Sequence, residues 1–445
     1  MKQSFHLLYQ IFKKSNLIIK IKLFITIFSL FIATGFELLS IGAVIPLISV
    51  MLGPEFSDGS PTIAAMTESI GNVFGYSTID VWVVYGFIII ILIGGITRIL
   101  SLYLFHDLNK DLAHLVSIHS YRNLLNLNFQ KLTSTHSSEL LSTVANKVNL
   151  AMARSIKPLL QSFHALLVLI SVFIFILLLN PMITLLLCLI MILVFIIFFV
   201  ISKSTIDTGS TIVSRMVSLI TKMVQESLQG IREILIRNSQ NLFEEKFNEA
   251  DLKYRKIQRT VDFLGAYPRI FLETSVIIGF SYGIILLHNI DGGLSHYVPI
   301  LAAFALAAQK TLPWAQVLFV SITNIKTYSE ITKEVAILFD TSNQGIVKNK
   351  PSLIEKISFN EEIILKNISF SYDQSSKHVI QNLNLNILSG DKIAIKGESG
   401  KGKSTLIDII LGLIRPSSGS VIIDDIKINN NNIQSWRSKI GYVSQ

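Results

Sequence analysis

Apolar residues along this chain come in long unbroken blocks, not at the alternating or three-to-four spacing of an element with one wet face. Six blocks stand out, at residues 21–52, 81–105, 159–179, 182–201, 270–287 and 297–320. A helix needs about 20 such residues to cross a hydrocarbon core about 30 Å thick, so each block predicts one membrane-spanning helix. The first block is too long for a signal-peptide core and has no small-residue cleavage site, which predicts a retained helix. Ahead of it, residues 3–17 mix Phe5, Leu7, Leu8 and Ile11 with Lys13 and Lys14. That pattern predicts a short helix lying in the cytoplasmic interface, with a frayed tail as the alternative.

Between blocks, residues 106–158 and 202–269 carry Leu and Ile at helical spacing with few Gly or Pro, so the spanning helices are expected to continue beyond the membrane as paired extensions. Turn-forming residues mark their tips at 133–137 and 238–241, each placed to touch a soluble domain. Residues 53–80 hold no Lys or Arg but carry Glu55, Asp58, Glu68 and Asp80, and 288–296 likewise hold no Lys or Arg. Basic residues gather instead at Lys2, Lys13, Lys14, Lys20 and Lys22 and in the two long connections, which predicts both termini on the cytoplasmic side and 53–80 outside. Within 53–80, residues 61–76 suit either a short amphipathic helix or an irregular loop.

Composition supports this reading. The chain has 445 residues, half of them hydrophobic and 16% charged, against about a quarter charged in a soluble globule. The net charge of +9 falls where a membrane protein keeps its cytoplasmic cations, so nucleic acid is not needed to explain it, while membrane lipids are expected neighbours. The one cysteine, Cys188, lies within an apolar block and leaves no intrachain disulfide or cysteine cluster. After residue 320 the pattern changes to short β-branched runs at 363–365, 379–380 and 393–395 between Asn-, Ser-, Gly- and Asp-rich turns. The expected organisation is a helical membrane domain over 1–340 and a soluble domain over 341–445, joined through 341–351.

The strongest chemical signal lies in the soluble part. Residues 392–396 read as a strand, Gly397, Glu398, Ser399, Gly400, Lys401, Gly402, Lys403, Ser404 and Thr405 form G-x-x-x-x-G-K-[ST], and 406–413 continue as a helix. Glycines let successive backbone N–H groups converge on phosphate oxygens, and the helix N-terminus adds its positive end. Lys403 is then expected to reach the β- and γ-phosphates of ATP, Ser404 to ligate Mg²⁺, and Thr405 to make a further polar contact. An ordinary glycine-rich turn with an incidental lysine is the alternative.

Together these features resemble ATP-binding-cassette exporters, in which six membrane helices precede a P-loop α/β nucleotide-binding domain. The resemblance rests on Ile368-Ser-Phe-Ser-Tyr-Asp373, Gly390-Asp-Lys392, the phosphate loop, Leu411-Gly-Leu-Ile-Arg-Pro-Ser-Ser-Gly419 and Arg437-Ser-Lys-Ile-Gly-Tyr-Val-Ser-Gln445. In the membrane part it rests on Glu226-Ser-Leu-Gln-Gly230-Ile231 and Asn241-Leu-Phe-Glu-Glu-Lys-Phe247. It implies that Tyr372 stacks on adenine, that Gln445 contacts Mg²⁺ and senses the membrane domain, and that two half-transporters pair. Lys401 stands where such loops usually carry a small residue. The family places its Walker B acid, Leu-Ser-Gly-Gly-Gln signature and switch histidine further on, so residues 1–445 carry half of a composite ATPase site. The chain is expected to be either part of a longer reading frame or a truncated product that at most binds nucleotide, and the DNA after codon 445 separates the two.

Charges inside apolar blocks are expensive and mark function. Here they are Glu37, Arg98, Glu273 and Lys310, with Arg269 at the inner end of the fifth block. Snorkelling of the arginines, or pairing of the glutamates with basic neighbours, is the plain reading. Three cations facing one cavity, Arg98, Arg269 and Lys310, would suit a phosphate or pyrophosphate. The segments Thr97-Arg98-Ile99, Ala266-Tyr-Pro-Arg269-Ile-Phe-Leu-Glu273 and Phe304-Ala-Leu-Ala-Ala-Gln-Lys310-Thr-Leu-Pro313 are similar to bacterial flippases for lipid-linked oligosaccharides, with Lys310 where that pattern has Arg. That resemblance implies an anionic lipid-linked saccharide cargo and the bacterial cytoplasmic membrane; lipid, polysaccharide and peptide exporters share the scaffold.

Overall fold

The computed structural model describes residues 2–52, 79–135, 137–179, 181–288, 298–340, 357–372, 378–398 and 400–443. The expected outer segment at 53–78 and the linker at 341–351 lie outside the described residues, as do Ser399 and Gln445. The chain divides into two compact units, one of residues 1–120 and 141–339, the other of 121–140 and 340–445.

The helices before residue 340 lie in the first unit except across residues 121–140, which belong to the second. Along the chain run α1 (Lys2–Lys14), α2 (Leu17–Gly42), α3 (Val44–Leu52), α4 (Ile79–Leu125), α5 (Phe129–Ser134), α6 (Ser137–Ser142), α7 (Val148–Ala151), α8 (Lys157–Leu179), α9 (Pro181–Gln229), α10 (Ile231–Ile236), α11 (Gln240–His288), α12 (Val298–Thr327) and α13 (Ser329–Phe339). The six apolar blocks fall in α2–α3, α4, α8, α9, α11 and α12. Among the described residues Leu17–Ile48, Val83–Leu125 and Ser137–Leu178 are long and apolar enough to cross a membrane by themselves. The 49 residues of α9 and of α11 span about 70 Å at about 1.5 Å per residue, more than twice a hydrocarbon core. Phe24, Phe28, Ile96, Ile99 and Tyr103 point outward and exposed, the arrangement expected where lipid is the solvent.

Beyond the apolar blocks, the unit closes around α13. Tyr328, Ile331, Val335 and Phe339 form one buried cluster with Leu7 and Ile11 of α1, Leu108, Leu112 and Val116 of α4, Val148, Ala151 and Ile156, and Val213 and Val217 of α9. This revises the expectation for the N-terminus. The helix forms, but Leu7 and Ile11 are fully buried against protein because α13 offers a matching apolar face, and Lys14 donates to the Phe339 carbonyl with its ammonium 4.3 Å from the Phe339 ring centre. Phe5 and Tyr9 on its other side are exposed.

Two π-helical turns, Thr143–Lys147 and Met152–Ile156, interrupt the helix on either side of α7. Each carries a polar side chain engaged with α13: buried Lys147 pairs with Glu334, and Thr332 donates to Ser155 at 2.8 Å. Ser214 of α9 donates to the other Glu334 oxygen. Among the described residues the second tip is a short helix, α10, opened at Gly230 and closed at Asn238, whose φ of 51° lies in the left-handed region. The first tip is α5 between two breaks: the Asn128 side chain accepts the Gln130 N–H where it starts, and it ends at the extended Thr135, within the expected 133–137.

The second unit holds an antiparallel sheet of β1 (Glu362–Phe370), β2 (Ile380–Leu388), β3 (Ser418–Ile423) and β4 (Ile426–Lys427) in the order β2-β1-β3-β4, with α14 (Lys403–Ile410) and α15 (Ile433–Arg437) packed on it. On β1 the buried residues are Ile363, Leu365, Ile368 and Phe370, so alternation skips a beat at Lys366–Asn367. A bulge supplies the extra residue: the register with β2 and with β3 shifts there, and Asn367 has φ 51°. Gly419 of β3 lies against it at φ 88°, where a Cβ would come within 2.4 Å of the Asn367 carbonyl oxygen. Asp424 accepts the N–H groups of Asn360, Glu361 and Glu362, which hold its carboxyl below the ordinary range and fix the start of β1. Phe129 of α5 packs against the core of this unit.

Removing Glu334 strands the Lys147 charge, whose side chain is 2% exposed. Glu334→Ala should therefore cost on the order of 3 kcal/mol. Lys147→Met combined with Glu334→Leu should recover most of that loss. Thermal unfolding of the detergent-solubilised variants measures both, and a Glu334→Ala melting temperature equal to wild type would contradict the buried pairing.

Candidate functional site

In the second unit, α14 begins directly after Gly402, whose φ of 84° no side chain adopts cheaply. A Cβ there would lie 2.9 Å from Val379 Cγ1 and 3.1 Å from its carbonyl oxygen. Gly400, at φ 81°, bends the loop just before. Trp436 donates its indole N–H to the Ile410 carbonyl at 2.8 Å, anchoring the far end of α14 to α15. Lys403, the first residue of α14, folds back so that Nζ donates to the Gly397 and Glu398 carbonyls at 2.6 and 2.7 Å. An anion offered to the loop competes with two neutral carbonyls for a full charge, an exchange that phosphate oxygens win. Ser404 sits in the same first turn, and Glu398 and Lys401 form a 3.8 Å pair with both side chains open to solvent.

Tyr372 is fixed beside this loop. Its hydroxyl lies 3.0 Å from Thr405 Oγ1, and its ring stands edge-on to Phe370 at 4.9 Å. The Thr405 contact was not legible from the sequence, where only the aromatic type at 372 is visible. Residues 391–398 differ from expectation: they are exposed and form no strand, with Ile393 48% exposed. A strand needs a ladder partner, and among the described residues 391–398 pair with none of β1, β2, β3 or β4. The loop's glycine geometry, the exposed backbone ahead of it and the lysine at the helix start fit the phosphates of a nucleotide.

In the first unit the intramembrane charges divide. Arg98 of α4 lies 3.7 Å from Glu37 of α2, and Lys310 of α12 donates to Ser40 of α2. Arg98 also sits 6.0 Å from the centre of the Trp314 ring, against whose face His164 of α8 stands edge-on at 4.3 Å. Arg269 of α11 instead donates to Gln316 at 3.3 Å. Trp314 and Gln316 are two residues apart on α12, a spacing that puts them on different faces. The expected convergence of three cations is thus, within one chain, a pair around Glu37 plus a separate Arg269. His164 and Trp314 were overlooked because only formal charges were sought in the apolar blocks; a lone His among aliphatic residues was the available signal.

A family model described as the ABC transporter transmembrane region matches residues 23–310, and one described as ABC transporter matches 380–445. The chain belongs to the ABC transporters. The chain is similar in fold to a solved bacterial Atm1-family ABC exporter with ATP bound, at a TM-score of 0.69 and 15% identity over 95% of this chain and 71% of that one. Among curated ABC transporters it is 44% identical over 124 residues to ABC transporter B family member 29 of Arabidopsis thaliana, covering 27% of this chain and 20% of that protein. It is 30% identical over 288 residues to the lacticin-481/lactococcin-DR transport/processing ATP-binding protein of Lactococcus lactis, covering 61% of this chain and 39% of that one. It is 24% identical over 237 residues to multidrug resistance protein 1 of Plasmodium falciparum, covering 50% and 16%. The matched stretches thus span less than half the length of each of these relatives.

For this ABC transporter, Gly402→Ala should forfeit nucleotide binding at least tenfold, because the new methyl meets Val379 at a φ that already costs about 1–2 kcal/mol. Titration with a fluorescent ATP analogue measures it. Unchanged affinity would show that the loop does not depend on this glycine.

Proposed function

We propose that this chain is the membrane domain, 1–340, and the leading part of the nucleotide-binding domain, 341–445, of an ATP-driven exporter. Two such halves pair, both termini face the cytoplasm, and the cargo is a lipid-linked saccharide held by its pyrophosphate in the cytoplasmic membrane of a bacterium. The observation that carries the cargo reading is the placement of Arg98 and Lys310, from two different helices, around one half-buried polar cluster inside apolar blocks. Lys403 neutralises the β- and γ-phosphates of ATP, Ser404 ligates Mg²⁺, Thr405 and Tyr372 border the nucleotide, and Gln445 completes the metal's surroundings. Arg98, Arg269 and Lys310 supply the cationic surface for the cargo, Arg269 meeting it from another side.

A second reading is export of a peptide, favoured by the 288-residue match to the lacticin-481/lactococcin-DR transport protein. One experiment separates the two. The protein encoded by the whole reading frame is reconstituted in vesicles, and each variant is measured for flipping of a fluorescent polyprenyl-pyrophosphate saccharide and for ATP turnover. Lys403→Ala should abolish both. Arg98→Ala, Arg269→Ala and Lys310→Ala should each lower flipping about tenfold or more, the loss of a charge-assisted contact worth about 1.5–3 kcal/mol, with ATP turnover retained. Lys310→Arg should be tolerated, since it keeps the charge and restores a two-pronged donor. Full flipping by all three cation-to-Ala variants would remove the anionic cargo, and full transport by Lys403→Ala would remove the phosphate loop as motor.

A further inference from the structure

Ahead of Glu37 the chain carries Lys2, Lys13, Lys14, Lys20 and Lys22 and no Asp or Glu. Two of these lysines are used inside the protein: Lys22 of α2 pairs with Asp107 and Asp111 of α4, and Lys14 donates to the Phe339 carbonyl. Lys2, Lys13 and Lys20 are exposed, and no carboxylate pairs with them among the described residues. Lys2, Phe5, Tyr9 and Lys13 follow one another at three- and four-residue spacing, so they form one stripe along α1. The stripe faces away from the α13 seam: Phe5 is 56% and Tyr9 66% exposed, while Leu7 and Ile11 are fully buried. It continues into the first turns of α2, where Lys20 stands among the exposed Leu17, Ile21 and Phe24.

The level of this surface follows from its neighbours. Lys22, Asp107, Lys110 and Asp111 gather into one charged network where α2 and α4 leave their apolar runs, which marks the polar edge of the membrane. Leu17 precedes Lys22 by more than a turn and is 72% exposed, so α1 and the start of α2 lie at headgroup depth. Aromatic rings between lysines are what that layer selects, because the rings seat among the headgroups while long stems carry the ammonium groups to the phosphates. An acidic protein segment would match the charges, but only lipid also continues the surface that Phe24 and Phe28 already face. We propose that α1 and the first turns of α2 form a binding surface for anionic lipid headgroups, with Lys2, Lys13 and Lys20 as the cations and Phe5 and Tyr9 as the rings. It rests on the membrane crossing of α2 and is independent of the cargo.

The test is native mass spectrometry of the whole-frame protein in detergent, titrated with phosphatidylglycerol or with phosphatidylcholine, so that individual bound lipids are resolved. Wild type should bind phosphatidylglycerol several-fold more tightly than phosphatidylcholine, and added salt should erode that margin. Lys2→Gln, Lys13→Gln and Lys20→Gln should each lower phosphatidylglycerol affinity by up to about fivefold, leave phosphatidylcholine unchanged, and erase the margin when combined. Arginine at the same three positions should preserve it. Phe5→Ser with Tyr9→Ser should weaken both lipids alike, and Lys427→Gln in the second unit, the control, should change neither. Equal binding of the two lipids by wild type, or a margin that survives in the triple glutamine variant, would overturn the proposal. Should the triple variant not fold, a margin indifferent to salt and to each single substitution overturns it equally. Loss of the margin in Arg98→Ala, with the three lysines present, would place the lipid at the intramembrane cations and not on α1.

Discussion

Where the long helices leave the apolar blocks, the first unit is organised by the burial of the Lys147 ammonium group, which Glu334 of α13 neutralises. A charge taken out of water at this depth imposes its partner's position, because the alternative costs several kcal/mol. Glu334 also accepts from Ser214 of α9, and two residues earlier Thr332 reaches Ser155, so α13 is fixed against two other helices by polar contacts set within an apolar seam. The π-helical turns at 143–147 and 152–156 place Lys147 and Ser155 for these contacts. The N-terminal helix then closes on the same seam through Leu7 and Ile11.

The helical architecture was largely legible because hydropathy acts over long runs: the six blocks fall in helices, and the scarcity of Gly and Pro in the connections foretold the long extensions. What escaped prediction depended on partners distant in sequence. The N-terminal helix carries an amphipathic pattern that suits a membrane surface equally well, and only the presence of α13 decides that Leu7 and Ile11 face protein. The bulge at Lys366–Asn367 hides in a pattern that merely looks imperfect until Gly419 is placed beside it. Residues 392–396 have strand composition, yet composition cannot supply a ladder partner.

The candidate sites show the same division. The phosphate loop is a local device, its backbone bends written in Gly400 and Gly402, so its geometry followed from sequence order. The intramembrane charges are a tertiary device. Sequence identified Glu37, Arg98 and Lys310 as costly, but the approach of α2, α4 and α12 gathers them into one partly compensated cluster and leaves Arg269 with Gln316. The proposed exporter would combine both devices, a phosphate-handling loop in water and a charged site within the apolar blocks.

The most direct measurement of that union is ATP turnover by the reconstituted protein with saturating lipid-linked saccharide, compared between a pyrophosphate linkage and a neutral ether linkage of the same lipid and sugar. The pyrophosphate form should stimulate turnover severalfold and the neutral form should not. Equal stimulation by both, or by neither, would contradict that expectation.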